Sequence, residues 1–238
     1  SQRFRQSIES MVPQQKTIVR EIQRLRNLIG QRRPTAAEIE SVRTVSQLQK
    51  GVMGETAEFA RTISKAAVFH LSLTTAADLM RETARALDAR DLSSETERNA
   101  QQSANRLEQL LTALAQDDPE GEQPQQNQQD QQPGRQQQPG GSQDGISQIA
   151  QLKLLKLMQQ GLNELTNQAA ARLAKESPPS VELEIELSRL AKEQGELAQL
   201  ALELTEPSEE DIFELDGDND SAAEPNADSL DESNREPQ

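Results

Sequence analysis

Three aspartates near the C-terminus, Asp216, Asp218 and Asp220, stand at the first, third and fifth positions of a calcium loop. Alternate carboxylates at that spacing can converge on one hard cation. The pattern then fails, because Ser221 stands where glycine makes the sharp turn and Ala227 where a bidentate glutamate closes the shell. No dedicated metal site is expected. His70 is the single histidine and there is no cysteine. Thiolate zinc, disulfides, a cysteine nucleophile and the paired histidines of helical metal sites are therefore excluded. A lone histidine on an apolar stretch is expected to be packed or on the surface. The chain has no G-x-x-x-x-G-K-[ST], no G-x-G-x-x-G and no G-x-S-x-G. Its 40 Asp and Glu residues single out no catalytic pair by spacing. The expectation is no catalytic, cofactor-binding or metal-ligating residue, no cofactor, and a protein that is not an enzyme.

Charge offers a second kind of chemistry. Residues 1–115 carry 17 Lys/Arg against 13 Asp/Glu, a net of +4, and within residues 1–33 the ratio is 8 to 2. Residues 205–238 carry 1 against 13, a net of −12, which supplies most of the chain's −15. The basic segment 1–33 could contact phosphates or an anionic surface. Against this, aromatic residues that stack on bases make up only 2% of the chain, and the acidic tail would compete for the same face. Nucleic acid is not the expected partner, and binding through residues 1–33 stands as the alternative reading.

The elements beneath these residues are helices. Ile18, Ile22, Leu25 and Ile29 recur at helical spacing, and the segment 1–33 reads as helix, either continuous or broken near Pro13, which suits a first-turn position, with an end at Gly30. Thr35 and Glu38 form a capping box that opens a long helix over 35–70. Its stripe is Val42, Val45, Leu48, Val52, Thr56, Phe59, Ile63 and Ala66. Gly51 and Gly54 inside it suit a close helix crossing, a bend or plain surface. Thr75 with Asp78 reads as a second capping pair, so that near His70 the helix either continues or bends and restarts, and Ser94 with Glu97 reads as a third, opening a helix to about residue 115.

Residues 116–145 are dominated by Gln, Pro and Gly, which predicts a disordered linker. Beyond it, Leu155, Met158, Leu162, Leu165, Ala169 and Leu173 form one seam. Leu183, Leu187, Leu190, Gln194, Leu197, Ala201 and Leu204 form another, and Ser177-Pro178-Pro179-Ser180 turns the chain between them. An antiparallel αα-hairpin over 146–204 follows. Residues 205–238 read as a disordered acidic tail, in which EEDIFELD could serve as a short docking segment. With 33% hydrophobic residues and neither Trp nor Tyr, thin helix–helix seams are expected in place of one large core. No apolar run is long enough to span a membrane. The chain begins at Ser1, not Met, which points to a processed form or a fragment.

Three stretches, TAAEIESVRTVSQLQKGVMGETAEFA, ISQIAQLKLLKLMQQGLNELT and ELSRLAKEQGELAQLALELTEP, carry a resemblance. In their order the chain resembles the C-terminal portion of uncharacterised long helical, coiled-coil proteins of planctomycete-type bacteria. The resemblance implies a periplasmic or cell-envelope protein with an export signal upstream of Ser1, and it transfers no site residues.

The fold class expected is all-α: an elongated helical bundle with coiled-coil-like seams (1–115), the linker (116–145), the αα-hairpin (146–204) and the acidic tail (205–238). The expected function is that of a non-enzymatic helical scaffold or adaptor. Its partners would be other helices or proteins, or further copies in a homo-oligomer, held through the apolar seams.

Overall fold

The computed structural model describes residues 2–30, 32–63, 65–115, 146–176 and 178–205. The stretch 116–145, the acidic residues from 206 onward, the Asp216 triplet and EEDIFELD lie outside them. Among the described residues all regular structure is α-helical: α1 (Gln2–Ile29), α2 (Ala36–Thr62), α3 (Ala67–Asp88), α4 (Ser94–Ala115), α5 (Gln148–Leu173) and α6 (Val181–Thr205). Up to Leu204 they belong to one compact unit. The all-α expectation holds.

The first four helices run up and down. Phe4 faces Phe59 and Gln15 faces Gln49, so α1 and α2 are antiparallel. Ser46 bonds to Asp88 and Thr56 lies against Met80, which makes α2 and α3 antiparallel as well. Gln15 reaches Ser103 and Gln23 reaches Glu97, so α4 closes the set against α1. Short turns of a few residues leave successive helices no arrangement but antiparallel neighbours.

The packing decides one open point of the sequence reading and corrects two others. First, α1 does not break at Pro13 but passes through it. A proline inside a helix costs about 3 kcal/mol. Phe4, Ile8, Met11 and Val12 are buried before it and Ile18, Val19, Ile22 and Leu25 after it. Each such side chain contributes roughly 1.5–3 kcal/mol on burial, so packing outweighs the lost bond. Pro13 is itself exposed, where water can serve the carbonyl it leaves unpaired.

Second, the helix expected over 35–70 is two helices. It ends at Thr62, and Ile63 (φ −118°, ψ 76°) and Ala66 (φ −92°, ψ 79°) take non-helical backbone before α3 begins. Phe59 already lies opposite Phe4, at the start of α1, with ring centroids 4.7 Å apart. Two further turns would carry the apolar residues past the end of the bundle. Reversal instead buries Ile63, Ala66 and Phe69, and Phe69 meets Phe4 edge-on at 5.5 Å. Thr75 and Asp78, read as a cap, consequently lie inside α3.

Third, Leu48 does not belong to the buried stripe. It is 50% exposed, while Gln49 beside it is fully buried. Gln49 and Gln15 exchange reciprocal amide bonds of 2.9 and 3.1 Å, and Gln15 Nε2 also donates to Ser103 Oγ at 2.9 Å. This polar knot ties α1, α2 and α4 at one level of the bundle. Gly51 and Gly54 face open space and support no close crossing.

The capping box at Thr35 is present as expected. Thr35 N–H donates to Glu38 Oε2 at 2.8 Å and Glu38 N–H to Thr35 Oγ1 at 3.3 Å. Arg32 grips the same carboxylate, with Nη1 at 2.9 Å. At α4 the capping side chain is one residue earlier than expected: Ser93 Oγ accepts from Thr96 N–H at 3.4 Å, and Ser94 is the first helical residue. Glu97 is thereby free to receive Gln23 at 2.8 Å and Arg26 from α1.

Two measurements follow from this packing. Gln49→Leu leaves the buried Gln15 carbonyl oxygen without its donor and should cost about 1–3 kcal/mol in denaturant unfolding. Adding Gln15→Leu should recover most of that loss. The Arg32 hydrogen bond, then the Thr35 amide, hold the Glu38 carboxyl down to about 2 from its ordinary 4.5. A depressed folded-state pKa gives stability that is present above pH 4.5 and lost as pH falls toward 2. Glu38→Gln should therefore lower the melting temperature at pH 7, and the difference from the parent chain should close by about pH 2.

Candidate functional site

The most organised polar chemistry lies where the α5–α6 hairpin meets the four-helix bundle. Gln148 Nε2 donates to Leu204 O at 2.9 Å, Gln159 and Gln194 exchange amide bonds of 3.1 Å, and Arg172 pairs with Glu186. These contacts set α5 and α6 antiparallel, as the paired leucine seams predict. Ser147 caps α5 through a 3.0 Å bond from Ala150 N–H, and Ser180 Oγ accepts from Leu183 N–H at 3.4 Å at the start of α6. The hairpin's inner face buries Leu154, Met158, Leu162, Ala169, Leu183, Leu190 and Leu197, which join the same apolar core as the bundle. Gln194, on the seam by spacing, is exposed; Leu173 is 42% exposed and lies outside the seam.

One stripe of α4 receives the hairpin. Arg98, Gln102, Arg106 and Gln109 recur at steps of four, four and three and so share a face. Arg98 pairs with Glu186 at 3.4 Å, Gln102 Oε1 accepts from Arg189 Nη2 at 3.1 Å, and Arg106 pairs with Glu193. The partners climb α6 in the same direction as α4, so the two helices are parallel and in register. Gln109 turns to α5, donating from Nε2 to the Leu157 carbonyl at 3.2 Å. Gly161 permits that approach, since a Cβ there would stand 3.0 Å from Gln109 Nε2. Glu82 of α3 adds Asn99 at 3.3 Å and Arg189 at 3.4 Å.

Arg106 and Glu193 are 5% and 7% exposed, a buried ion pair. Burial, followed by the nearby charge of Arg189, lowers the Arg106 pKa to about 10, which leaves it cationic at neutral pH. Arg106 Nη1, Gln102 Nε2 and Gln109 Oε1 are sealed from solvent with no hydrogen-bond partner among the described residues. Unmet groups of this kind cost about 1–3 kcal/mol each. The docking seam is therefore specific in register and modest in strength. Beside it a cleft of about 420 Å³ opens between α3, α4, α5 and α6, walled in part by Leu79, Leu157, Leu165 and Leu190.

The residues singled out in the sequence have structural employment. His70 Nδ1 donates to the Ala60 carbonyl at 2.9 Å, a group that also accepts from Ile63 N–H at the end of α2 at 3.2 Å. Of the eight basic residues in 1–33, Arg5, Lys16, Arg24, Arg26 and Arg32 pair with carboxylates of the bundle. No group of three or more His, Cys, Asp or Glu able to hold a metal occurs among the described residues. None of their helices is long and apolar enough to cross a membrane. The α4 stripe was missed in the sequence because its Arg and Gln residues look like an ordinary solvated face. Its four-four-three spacing was the available signal.

Glu193→Ala leaves the Arg106 guanidinium buried without its carboxylate and should cost about 3–5 kcal/mol in denaturant unfolding. Replacing both partners, Arg106→Met with Glu193→Leu, should return stability to within about 1 kcal/mol of the parent chain or above it. In comparisons with protein-family models, curated proteins and solved structures, nothing matched this chain.

Proposed function

We propose that the chain is a non-enzymatic helical scaffold or adaptor that binds other helices through the outer face of the α5–α6 hairpin. One observation carries this reading. Eight large apolar side chains are exposed among the described residues, and six of them, Ile149, Leu152, Leu173, Val181, Ile185 and Leu202, lie on the hairpin. Isolated exposed leucines are ordinary, but clustering on one supersecondary unit is the mark of an interaction surface. The register-fixing bonds of the α4 stripe present that unit in one orientation, which an adaptor requires.

The likeness to planctomycete-type envelope proteins fits a bacterial scaffold of this kind and remains part of the proposal. The alternative, binding nucleic acid or an anionic surface through residues 1–33, has less support. Most cations of that segment are engaged by the bundle's own carboxylates, leaving few to neutralise phosphates.

Affinity capture from source-cell lysate, comparing the parent chain with Ile149→Lys/Leu152→Lys/Ile185→Lys, tests the reading. The triple variant should keep its far-UV helicity and lose the captured proteins or its self-association. Equal recovery by both chains, with no self-association of either, would remove the basis for the scaffold reading.

A further inference from the structure

The outer face of α6 carries a second seven-residue repeat. Val181, Ile185, Ser188, Lys192, Gly195, Gln199 and Leu202 step by four, three, four, three, four and three, and all seven are exposed. This line lies opposite the buried one formed by Leu183, Leu190 and Leu197. A helix with apolar or small residues at this spacing can form a seam with another helix. α6 therefore has two lines at this spacing, and among the described residues the inner one is buried and the outer one exposed.

We infer that the outer seam of α6 pairs with the same seam of a second copy of this chain, antiparallel and about a two-fold axis. The outer line of α6 is self-complementary. When α6 is laid antiparallel on its own copy, one register sets Ile185 against Leu202, Ser188 against Gln199 and Lys192 against Gly195. In that register Ile185 and Leu202, 63% and 64% exposed in the single chain, cover each other at both ends, and Val181 lies beyond the paired stretch. In the middle the longest side chain faces the residue with no side chain. A Cβ at Gly195 meets nothing within 4 Å in the single chain, so the glycine serves no packing there. Lys192 already lies 3.6 Å from Glu196 of its own helix, and a Lys192 arriving opposite Gly195 comes beside that same carboxylate. Parallel pairing would instead oppose Lys192 to Lys192 and Gly195 to Gly195, which stacks like charges and leaves a gap. A two-fold contact in which residue i meets j and j meets i is the usual form of a homodimer.

This inference deepens the adaptor reading by naming one partner of the hairpin, and its test is separable from the earlier one. The natural absence of cysteine makes cross-linking clean. Ser188→Cys and Gln199→Cys chains, each intact otherwise, are mixed and oxidised with copper phenanthroline. The antiparallel register predicts a disulfide-linked dimer in the mixture and little in either chain alone. Two copies of residue 188 would stand ~16 Å apart along the seam, beyond disulfide reach. Sedimentation equilibrium of the parent chain should give twice its 26.4 kDa mass, and Ile185→Lys should lower the association constant at least about tenfold with helicity unchanged. A parent chain that sediments as a single copy up to ~100 µM, far above the Kd of a stable dimer, overturns the inference. So does ready self-cross-linking of Ser188→Cys, which reports parallel pairing. If Ile185→Lys leaves association unchanged, the α6 seam is not the interface. Partner capture in the earlier assay can persist under each of these results, so the scaffold reading stands or falls separately.

Discussion

The buried amide pair Gln15–Gln49 sets the constraint on which the bundle depends. Two glutamines, each fully removed from water, must satisfy each other, and Ser103 must be at hand for the donor left over. Only one vertical register of α1, α2 and α4 brings the three together. Apolar stripes of Val, Ile, Leu and Ala would tolerate a slip of one turn with little change in buried area. The polar knot does not, because an amide left unmet in the interior costs more than a typical hydrogen bond contributes.

The same device recurs at the second level of the structure. The hairpin is fastened to the bundle by a ladder of side-chain bonds running up α4 to α6, with Arg106–Glu193 at its buried rung. A buried ion pair adds little net stability compared with an apolar pair of the same volume, but mismatching it is costly. The chain is poor in aromatic residues, and three of its four phenylalanines are gathered at the α1–α2–α3 corner. Elsewhere, seams of small and medium residues are kept in register by paired Gln, Arg and Glu. The result is a hairpin held in a defined pose with six large apolar side chains exposed on it.

Much of the local structure was legible in the residues. The Thr35–Glu38 box, the paired leucine seams and the Ser-Pro-Pro-Ser turn announce their helices because caps, periodicity and breakers act over a few residues. The α2–α3 break at residues 63–66 was not legible there. No Gly or Pro marks it, and its cause is the position of Phe4 on another helix. At Pro13 the opposite holds: a local breaker is overruled by the burial of eight apolar side chains that α1 carries on either side of it.

The sequence by itself determined that this protein is built of amphipathic helices, where most of them start, and that cysteine and paired-histidine chemistry is excluded. Those properties follow from residue type and short-range spacing. Only the tertiary structure decided that Gln49 and not Leu48 faces inward, that the cations of residues 1–33 are largely spent on internal carboxylates, and that Arg98, Gln102, Arg106 and Gln109 are a docking stripe. A polar side chain's role depends on which partner lies across the gap, and that partner sits tens of residues away. The outer line of α6 belongs to both. Its spacing is in the sequence, but only the packing of the inner line shows that it is exposed among the described residues.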